Sequence, residues 1–273
     1  MITFPNAKIN LGLNIVQRRD DGYHNIETVF YPIPLTDVLE IVPSASGETS
    51  LTCYGRPVDC PVEKNLVMKA FRLMEREYGV PPVEIHLYKH IPDGAGLGGG
   101  SSDASHTLLM LNEMNNLGLT RERLAELAST LGADCPFFIY NRPMMATGIG
   151  DVFTPVDLNL NGYTLALIKP DVSVPTAQAY ARVQPAQPTT HVDEIITWPI
   201  DMWDGQLNND FEPSVFAAHP QLWGIKLRLL EAGAVYAAMS GSGSAMFGIF
   251  KADNVTADTL AFADNCDTFC LTL

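Results

Sequence analysis

The chain has 273 residues, of which 47% are hydrophobic and 18% charged, and its formal net charge is −14. A chain of this size and composition buries a substantial core in one or two domains. Its charge argues against nucleic acid or an anionic membrane as the main partner, because both select a basic face. A few placed donors still suffice for an anionic small molecule.

No apolar run reaches the roughly 18 residues of a membrane helix. The start "MITFPNAKIN" lacks the basic-then-apolar pattern of a signal peptide. Among the five cysteines (Cys53, Cys60, Cys135, Cys266 and Cys270) there is no CxxC pair. The expectation is a cytoplasmic protein with reduced thiols and no structural zinc.

Residues 8–16, "KINLGLNIV", alternate. Ile9, Leu11, Leu13 and Ile15 share one face of a predicted strand; Lys8, Asn10, Gly12 and Asn14 share the other. After the turn "RRDDG", the segment "YHNIETVFYPI" returns as a second strand, and "DVLEIV" and "TSLTCYG" read as more strands. "NLVMKAFRLMEREYG" has helical spacing, with Asn65 as a good N-cap and an end at Gly79. "PVEIHLYKHI" reads as a strand that leads into a glycine run. "SSDASHTLLMLNEMNNLG" then reads as a helix from Ser101, capped by Ser101 or Ser102, with Ala104, Leu108 and Leu111 on one side. "TRERLAELASTLG" is a second helix, capped by Thr120 and closed by Gly132. "DCPFFIYN" reads as a loop and strand.

Around residues 143–162 the pattern breaks into Gly, Pro, Asp and Asn. A domain boundary is placed there, giving domains 1–158 and 159–273. The second part opens with the strand "YTLALIKP". It continues with a proline-rich loop at 184–190, a helix near 219–232 and two strands around "SGSGS", 240–244. Strands and helices are interleaved without the regular alternation of a doubly wound sheet, so the predicted class is α+β with two domains.

In "IPDGAGLGGGSSDAS", residues 91–105, five of the seven residues from Gly94 to Gly100 are glycine. A flexible linker would be flanked by more polar loop. Gly94, Gly96 and Gly99 satisfy the spacing of a dinucleotide fingerprint, but a second helix follows where that fold needs a parallel strand. A phosphate cradle fits best. Glycines let successive amides turn toward one anion, and the helix start adds free N–H groups and its positive dipole end. The GxxxxGK[ST] pattern is absent, so a neutralising lysine must come from elsewhere in the chain.

"PDGAGLGGGSS" resembles the second motif of the GHMP kinases, named for galactokinase, homoserine, mevalonate and phosphomevalonate kinases. "NAKINL" resembles their first motif and "MSGSGSAMFG" their third, in the same order. "RDDGYHNIET", "GADCPFF", "PDVSVPT" and "NDFEP" are most similar to the members that act on 4-diphosphocytidyl-2-C-methyl-D-erythritol in the non-mevalonate route to isoprenoids. The matches span residues 5–248. The resemblance implies the GHMP fold, with an N-terminal domain related to a ribosomal-protein fold and a ferredoxin-like C-terminal domain. It implies ATP-dependent phosphorylation of the 2-hydroxyl of that substrate by a monomer or homodimer. Other small-molecule GHMP kinases, of homoserine or mevalonate type, and a non-catalytic ligand sensor on the same scaffold are the competing readings. Asn6 stands where the family usually has proline. Asp103 puts a negative charge close to the phosphate site and must point away from the nucleotide.

The resemblance also assigns roles. Pro92, Asp93, Gly94, Ala95, Gly96, Leu97, Gly98, Gly99, Gly100, Ser101 and Ser102 bind the ATP phosphates, and Asn65 and Lys89 bound the adenine pocket, with Lys89 expected to be exposed. Asp134 is the catalytic base and Lys8 its neighbour, holding the carboxylate ionised and offsetting developing charge. Asn10 shares the Lys8 face. Tyr23 and Tyr180 stack on the two faces of cytosine, His24 reads its edge, and Phe30 and Thr176 line the methylerythritol pocket.

The residues taken alone suggest plainer readings: a turn-forming Asp134, a solvated Lys8, a surface His24, and a partly exposed His106 and Glu113 on the helix after the glycines. No His/Asp/Glu cluster has a fixed-metal spacing, so Mg2+ is expected to arrive with ATP, held by phosphates and water. An alcohol's pKa is near that of water, about 15.7. An ordinary aspartate sits at about 3.9, so full prior deprotonation would cost roughly 16 kcal/mol. That is too much for a kinase turning over at roughly 1–100 per second; the proton must leave as the phosphorus–oxygen bond forms, or after.

Overall fold

The strands and helices follow the order β1 (Ile2–Thr3), β2 (Asn6–Arg18), β3 (His24–Thr36), β4 (Val38–Pro43), β5 (Ser50–Gly55), α1 (Leu66–Tyr78), β6 (Val83–Lys89), α2 (Gly99–Met114), α3 (Arg121–Ser129) and α4 (Cys135–Tyr140). They continue with β7 (Met144–Thr147), β8 (Val152–Pro155), β9 (Tyr163–Lys169), α5 (Thr176–Tyr180), α6 (Val192–Ile195), α7 (Glu212–Ala218), α8 (Pro220–Glu231), β10 (Tyr236–Met239), β11 (Met246–Lys251) and β12 (Asp267–Thr272). The structure, a computed structural model, describes residues 1–251, 255, 260, 263 and 266–273. Two compact units are present, and neither is one run of sequence. The first holds Met1–Ala7, Leu35–Asp93 and Gly98–Arg142; the second holds Lys8–Pro34, Gly94–Leu97 and Pro143–Leu273.

In the first unit the sheet order is β1-β4-β6-β5. β4 runs antiparallel to β1 and β6, and β5 runs parallel to β6. The register sets Leu39 opposite Leu87 and Ile41 opposite Ile85. These side chains point the same way because strand side chains alternate, and they form one core with Phe71 and Met74 of α1 and Leu108 and Leu111 of α2. The predicted cap of α1 is present: the Asn65 side chain accepts from the Val67 amide, and Gly79 ends the helix at φ +65°. Thr120 likewise caps α3 by accepting from Arg123 N–H.

Three local expectations are corrected in this unit. Helix α2 starts at Gly99, two residues before the expected Ser101, and its cap is left-handed Gly98 at φ +71° with no side-chain bond. The glycines themselves turn the chain into the helix, and Ser101 and Ser102 fall inside its first turn. Helix α3 ends at Ser129 with Thr130 as C-cap, in right-handed conformation, so Gly132 does not close it. "DCPFFIYN" is the short helix α4 in place of a loop and strand. Pro136 sits in its first turn, Asn141 caps its end at φ +49°, and Cys135, Phe137, Phe138 and Ile139 are all buried. A helix buried on every side has no apolar stripe, so periodicity cannot separate it from a buried strand.

The second unit has two sheets, ordered β2-β3-β7-β8 and β10-β11-β9-β12. The second is antiparallel throughout, with β9 paired to both β11 and the C-terminal β12. Its core joins Ile168, Met239, Met246 and Phe250 with Leu222 and Leu229 of α8 and Leu13 and Ile15 of β2. The segment read as a break at 143–162 holds the β7–β8 hairpin, whose turn carries left-handed Gly148 and Gly150. The predicted strands around 240–244, the strand 163–169 and the helix near 219–232 are β10, β11, β9 and α8. The sequence reading did not find α5, α6, α7 or β12.

Phe71 is fully buried in the first unit's core. Phe71→Ala is expected to lower unfolding stability by about 3–5 kcal/mol, read as a shift of the urea midpoint.

Candidate active site

The glycine run is built on alternating backbone hands. Gly94, Gly96 and Gly98 have φ of +59°, +77° and +71°. Positive φ at every second position, each filled by glycine, is the backbone pattern from which an amide nest can form. The amides of Gly96, Leu97, Gly98, Gly99, Gly100 and Ser101 donate to no carbonyl in the loops, turns and caps of the described residues. The run's middle is anchored within the second unit: Lys8 N–H donates to Leu97 O at 3.0 Å, Ala245 N–H to Ala95 O at 3.2 Å, and the Ser240 hydroxyl to Gly96 O at 2.9 Å. A Cβ on Gly96 would collide with the Ser240 carbonyl.

In the same unit β2 delivers Lys8 and Asn10. Lys8 is 3% exposed, so it is no solvated charge. Its ammonium donates to Asn10 Oδ1 at 2.6 Å and lies 4.6 Å over the Phe30 ring, a cation–π contact. Asn10 N–H reaches the Ser240 hydroxyl at 3.3 Å. Ser240 is held in turn by the "NDFEP" turn. Asn209 Nδ2 donates to Met239 O and Gly241 O, both at 2.8 Å, and Glu212 Oε1 accepts from Met239 N–H. Glu212 is also paired with Lys226; burial pushes its carboxyl above the ordinary range, against the pull of Lys226. Sequence reasoning gave no role to Asn209, Glu212 or Thr28; "NDFEP" was visible as a motif, but its carbonyl targets lie about 30 residues away.

In the first unit Lys89 is buried rather than exposed. Its ammonium is bonded to Asp37 and, at 2.6 Å, to Asp103. Asp37 also accepts from the amides of His90 and Ile91. Lys89 Nζ stands 3.4 Å from where a Cβ of Gly99 would be, at the start of α2. Asp103 therefore turns to Lys89. Burial and the Asp37 charge raise its carboxyl while Lys89 opposes them, and its pKa is pushed up to about 7. Burial works against the Lys89 ammonium, but the Asp103 and Asp37 charges outweigh it and its pKa lies above the ordinary value. Asp134 is half-buried at the N-cap position of α4. Asn65 is buried in its capping role. His106 is half-buried, its Nδ1 2.9 Å from Ser102 O, and Glu113 is exposed.

The aromatic pair differs from the expected sandwich. His24, not Tyr23, lies against Tyr180, with ring centroids 5.0 Å apart and planes 20° apart. Two rings that close hold no third ring between them. Tyr23 is 62% exposed, its amide held by Asp21. Tyr180 also packs edge-on against Phe211. Phe30 is buried beneath Lys8, and the Thr176 hydroxyl lies 3.1 Å from that of Ser242 in the third glycine motif. Among the described residues, no group of three or more His, Cys, Asp or Glu side chains could hold a metal ion, and no helix is long and apolar enough to cross a membrane.

Residues 65–142 match the N-terminal domain of the GHMP kinases and residues 201–266 match their C-terminal domain. A crystal structure of 4-(cytidine 5'-diphospho)-2C-methyl-D-erythritol kinase has a TM-score of 0.83 and 34% identity over 100% of both chains. The 4-diphosphocytidyl-2-C-methyl-D-erythritol kinase of Parabacteroides distasonis is 55% identical over 264 residues, 97% of each chain. That of Bacteroides thetaiotaomicron is 52% identical over 261 residues, 95% of each. The chain belongs to the 4-diphosphocytidyl-2-C-methyl-D-erythritol kinases within the GHMP kinases. A homoserine kinase from Cytophaga hutchinsonii, with a TM-score of 0.75 and 16% identity, shares the fold alone.

Gly96→Ala is expected to weaken ATP binding by about tenfold or more, since the collision is with main chain and the left-handed φ adds strain; isothermal titration with an ATP analogue measures it. Asp103 supplies a pH test. Unfolded, it ionises near 3.9; folded, at about 7. Between those values the native state holds a proton that the unfolded state has lost, so this group makes stability fall as pH rises through the window. Asp103→Asn should flatten that slope in urea unfolding followed across it.

Proposed function

We propose that this kinase transfers the γ-phosphoryl group of ATP to the 2-hydroxyl of 4-diphosphocytidyl-2-C-methyl-D-erythritol, a step of the non-mevalonate isoprenoid route. The observation that carries the substrate is identity above 50% along almost the whole chain to kinases named for it. Support for the chemistry comes from the open amides between Gly96 and Ser101 and from the oriented ammonium of Lys8.

In this reading the backbone from Pro92 to Ser102 grips the polyphosphate. Preorganised amides and a helix start stabilise anionic oxygens without reorganisation during the reaction. Lys8 offsets the charge that develops during transfer. Asp134 orients the acceptor hydroxyl and receives its proton late. We further propose that Mg2+ comes with ATP, held by phosphate oxygens and water. Asn65 and Lys89 border the adenine; for Lys89 the part is indirect, because its ammonium is committed to two carboxylates. His24 and Tyr180 supply the surface for cytosine, which is worth about 1–3 kcal/mol per stacked face. The base takes the outer face of the pair or parts the two rings. Tyr23, Phe30, Asn10 and Thr176 complete the acceptor site.

A coupled assay with ATP, Mg2+ and the cytidyl substrate tests the assignment. Turnover on mevalonate or homoserine, with none on the cytidyl compound, would select another GHMP activity. ATP binding without transfer would select a sensor. Lys8→Ala and Asp134→Ala are each expected to lower kcat by about 100-fold or more, with the affinity for an ATP analogue within about threefold of wild type. Near-normal turnover in either variant refutes its role.

A further inference from the structure

One acceptor of the Lys8 ammonium is an amide oxygen, that of Asn10, and the other end of that amide meets the Thr28 hydroxyl. An asparagine side chain has nearly the same shape either way round, so hydrogen-bond partners alone decide where its oxygen and nitrogen lie. Asn10 Oδ1 is 2.6 Å from Lys8 Nζ, and its Nδ2 is 3.0 Å from the Thr28 hydroxyl. That hydroxyl has one proton, and it goes to the Gly12 carbonyl. Only lone pairs are left to face Asn10, so Asn10 must present its NH2 group to Thr28 and its oxygen to Lys8.

Gly12 can offer its carbonyl because it is left-handed inside β2, at φ +62°; a Cβ there would lie 2.6 Å from Leu207 Cδ1. The reversed amide would set NH2 against the ammonium and oxygen against a hydroxyl lone pair. Lys8, Asn10 and Thr28 are each at most 3% exposed, so water does not relieve either clash. Phe30, two residues from Thr28 and hence on the same face of β3, presents the face of its ring to the ammonium.

We propose that Thr28 is a positioning residue for phosphoryl transfer: its hydroxyl, committed to the Gly12 carbonyl, fixes the Asn10 amide so that its oxygen aims the Lys8 ammonium. The proposal rests on the role given to Lys8 above. It makes no demand on nucleotide binding.

Thr28→Val keeps the side-chain shape and removes the hydroxyl; Thr28→Ser keeps the hydroxyl and removes a methyl group. Thr28→Val is expected to lower kcat by about tenfold or more while KM for ATP stays within about twofold. Thr28→Ser is expected to retain kcat within about threefold of wild type. Thr28→Ala, which removes the hydroxyl and leaves space, is read the same way should the valine variant fail to fold, as judged by circular dichroism. Wild-type kcat in both hydroxyl-free variants overturns the proposal. So does a Thr28→Ser enzyme as slow as the hydroxyl-free ones, or a loss confined to KM for ATP. The wild-type protein in the same assay separates the two readings. If it fails to phosphorylate the cytidyl substrate, the functional assignment falls and the positioning role with it; if it is active, the variants judge Thr28 alone.

Discussion

The carbonyl of Ser240 stands where a side chain at residue 96 would have to be. That contact between two stretches of main chain is the constraint on which the second unit's hydrogen-bond network around Ser240 depends. The Ser240 hydroxyl donates to Gly96 and accepts from Asn10, so one buried residue ties the glycine run to the strand that carries Lys8. Asn209 holds the carbonyls on either side of Ser240, and Glu212 holds the amide of Met239. Three short motifs, far apart in the chain, are tied together by three polar side chains, those of Ser240, Asn209 and Glu212, each bonded to main-chain N–H or C=O. Only the absence of a side chain at residue 96 allows that approach.

The first unit uses charge for the corresponding task. Lys89 ends β6, Asp103 lies in the second turn of α2, and Asp37 precedes β4; one ammonium joins all three. Asp37 also fixes the amides of His90 and Ile91. The chain segments that enter and leave the glycine run are thereby tied to one point. Two carboxylates share one lysine, and Asp103 Oδ1 has no hydrogen-bond partner among the described residues. A buried ion cluster of this kind is weak support for stability, and its use lies in holding geometry. The raised carboxyl of Asp103 is the physical trace of that arrangement.

Much of the fold was legible because local rules and burial agreed. The strand over residues 8–16, the Asn65 and Thr120 caps and left-handed Gly79 each have a local physical cause, and each is present. The turns of the glycine run were legible because glycine's backbone freedom is written in the residue itself, and Gly94, Gly96 and Gly98 all take positive φ. Where the reading failed, the cause was not local. α4 is buried on all sides and shows no periodicity. A lysine reads as exposed unless its two carboxylates, 52 and 14 residues away, are known to be neighbours. The start of α2 was misplaced because serine is the stronger cap by preference, while the chain used a left-handed glycine.

The sequence by itself determined the class of fold, the order of its motifs, the place of the glycine run before a helix and, through resemblance, the family. These depend on residue type and spacing along the chain. Tertiary structure alone decided which way Asn10 faces, that Lys8 and Lys89 are buried, that His24 rather than Tyr23 meets Tyr180, and that "NDFEP" steadies a distant glycine loop. Each of those facts is a contact between residues remote in sequence. The hydrogen-bonding and burial energies that set it exist only once the chain has brought the partners together.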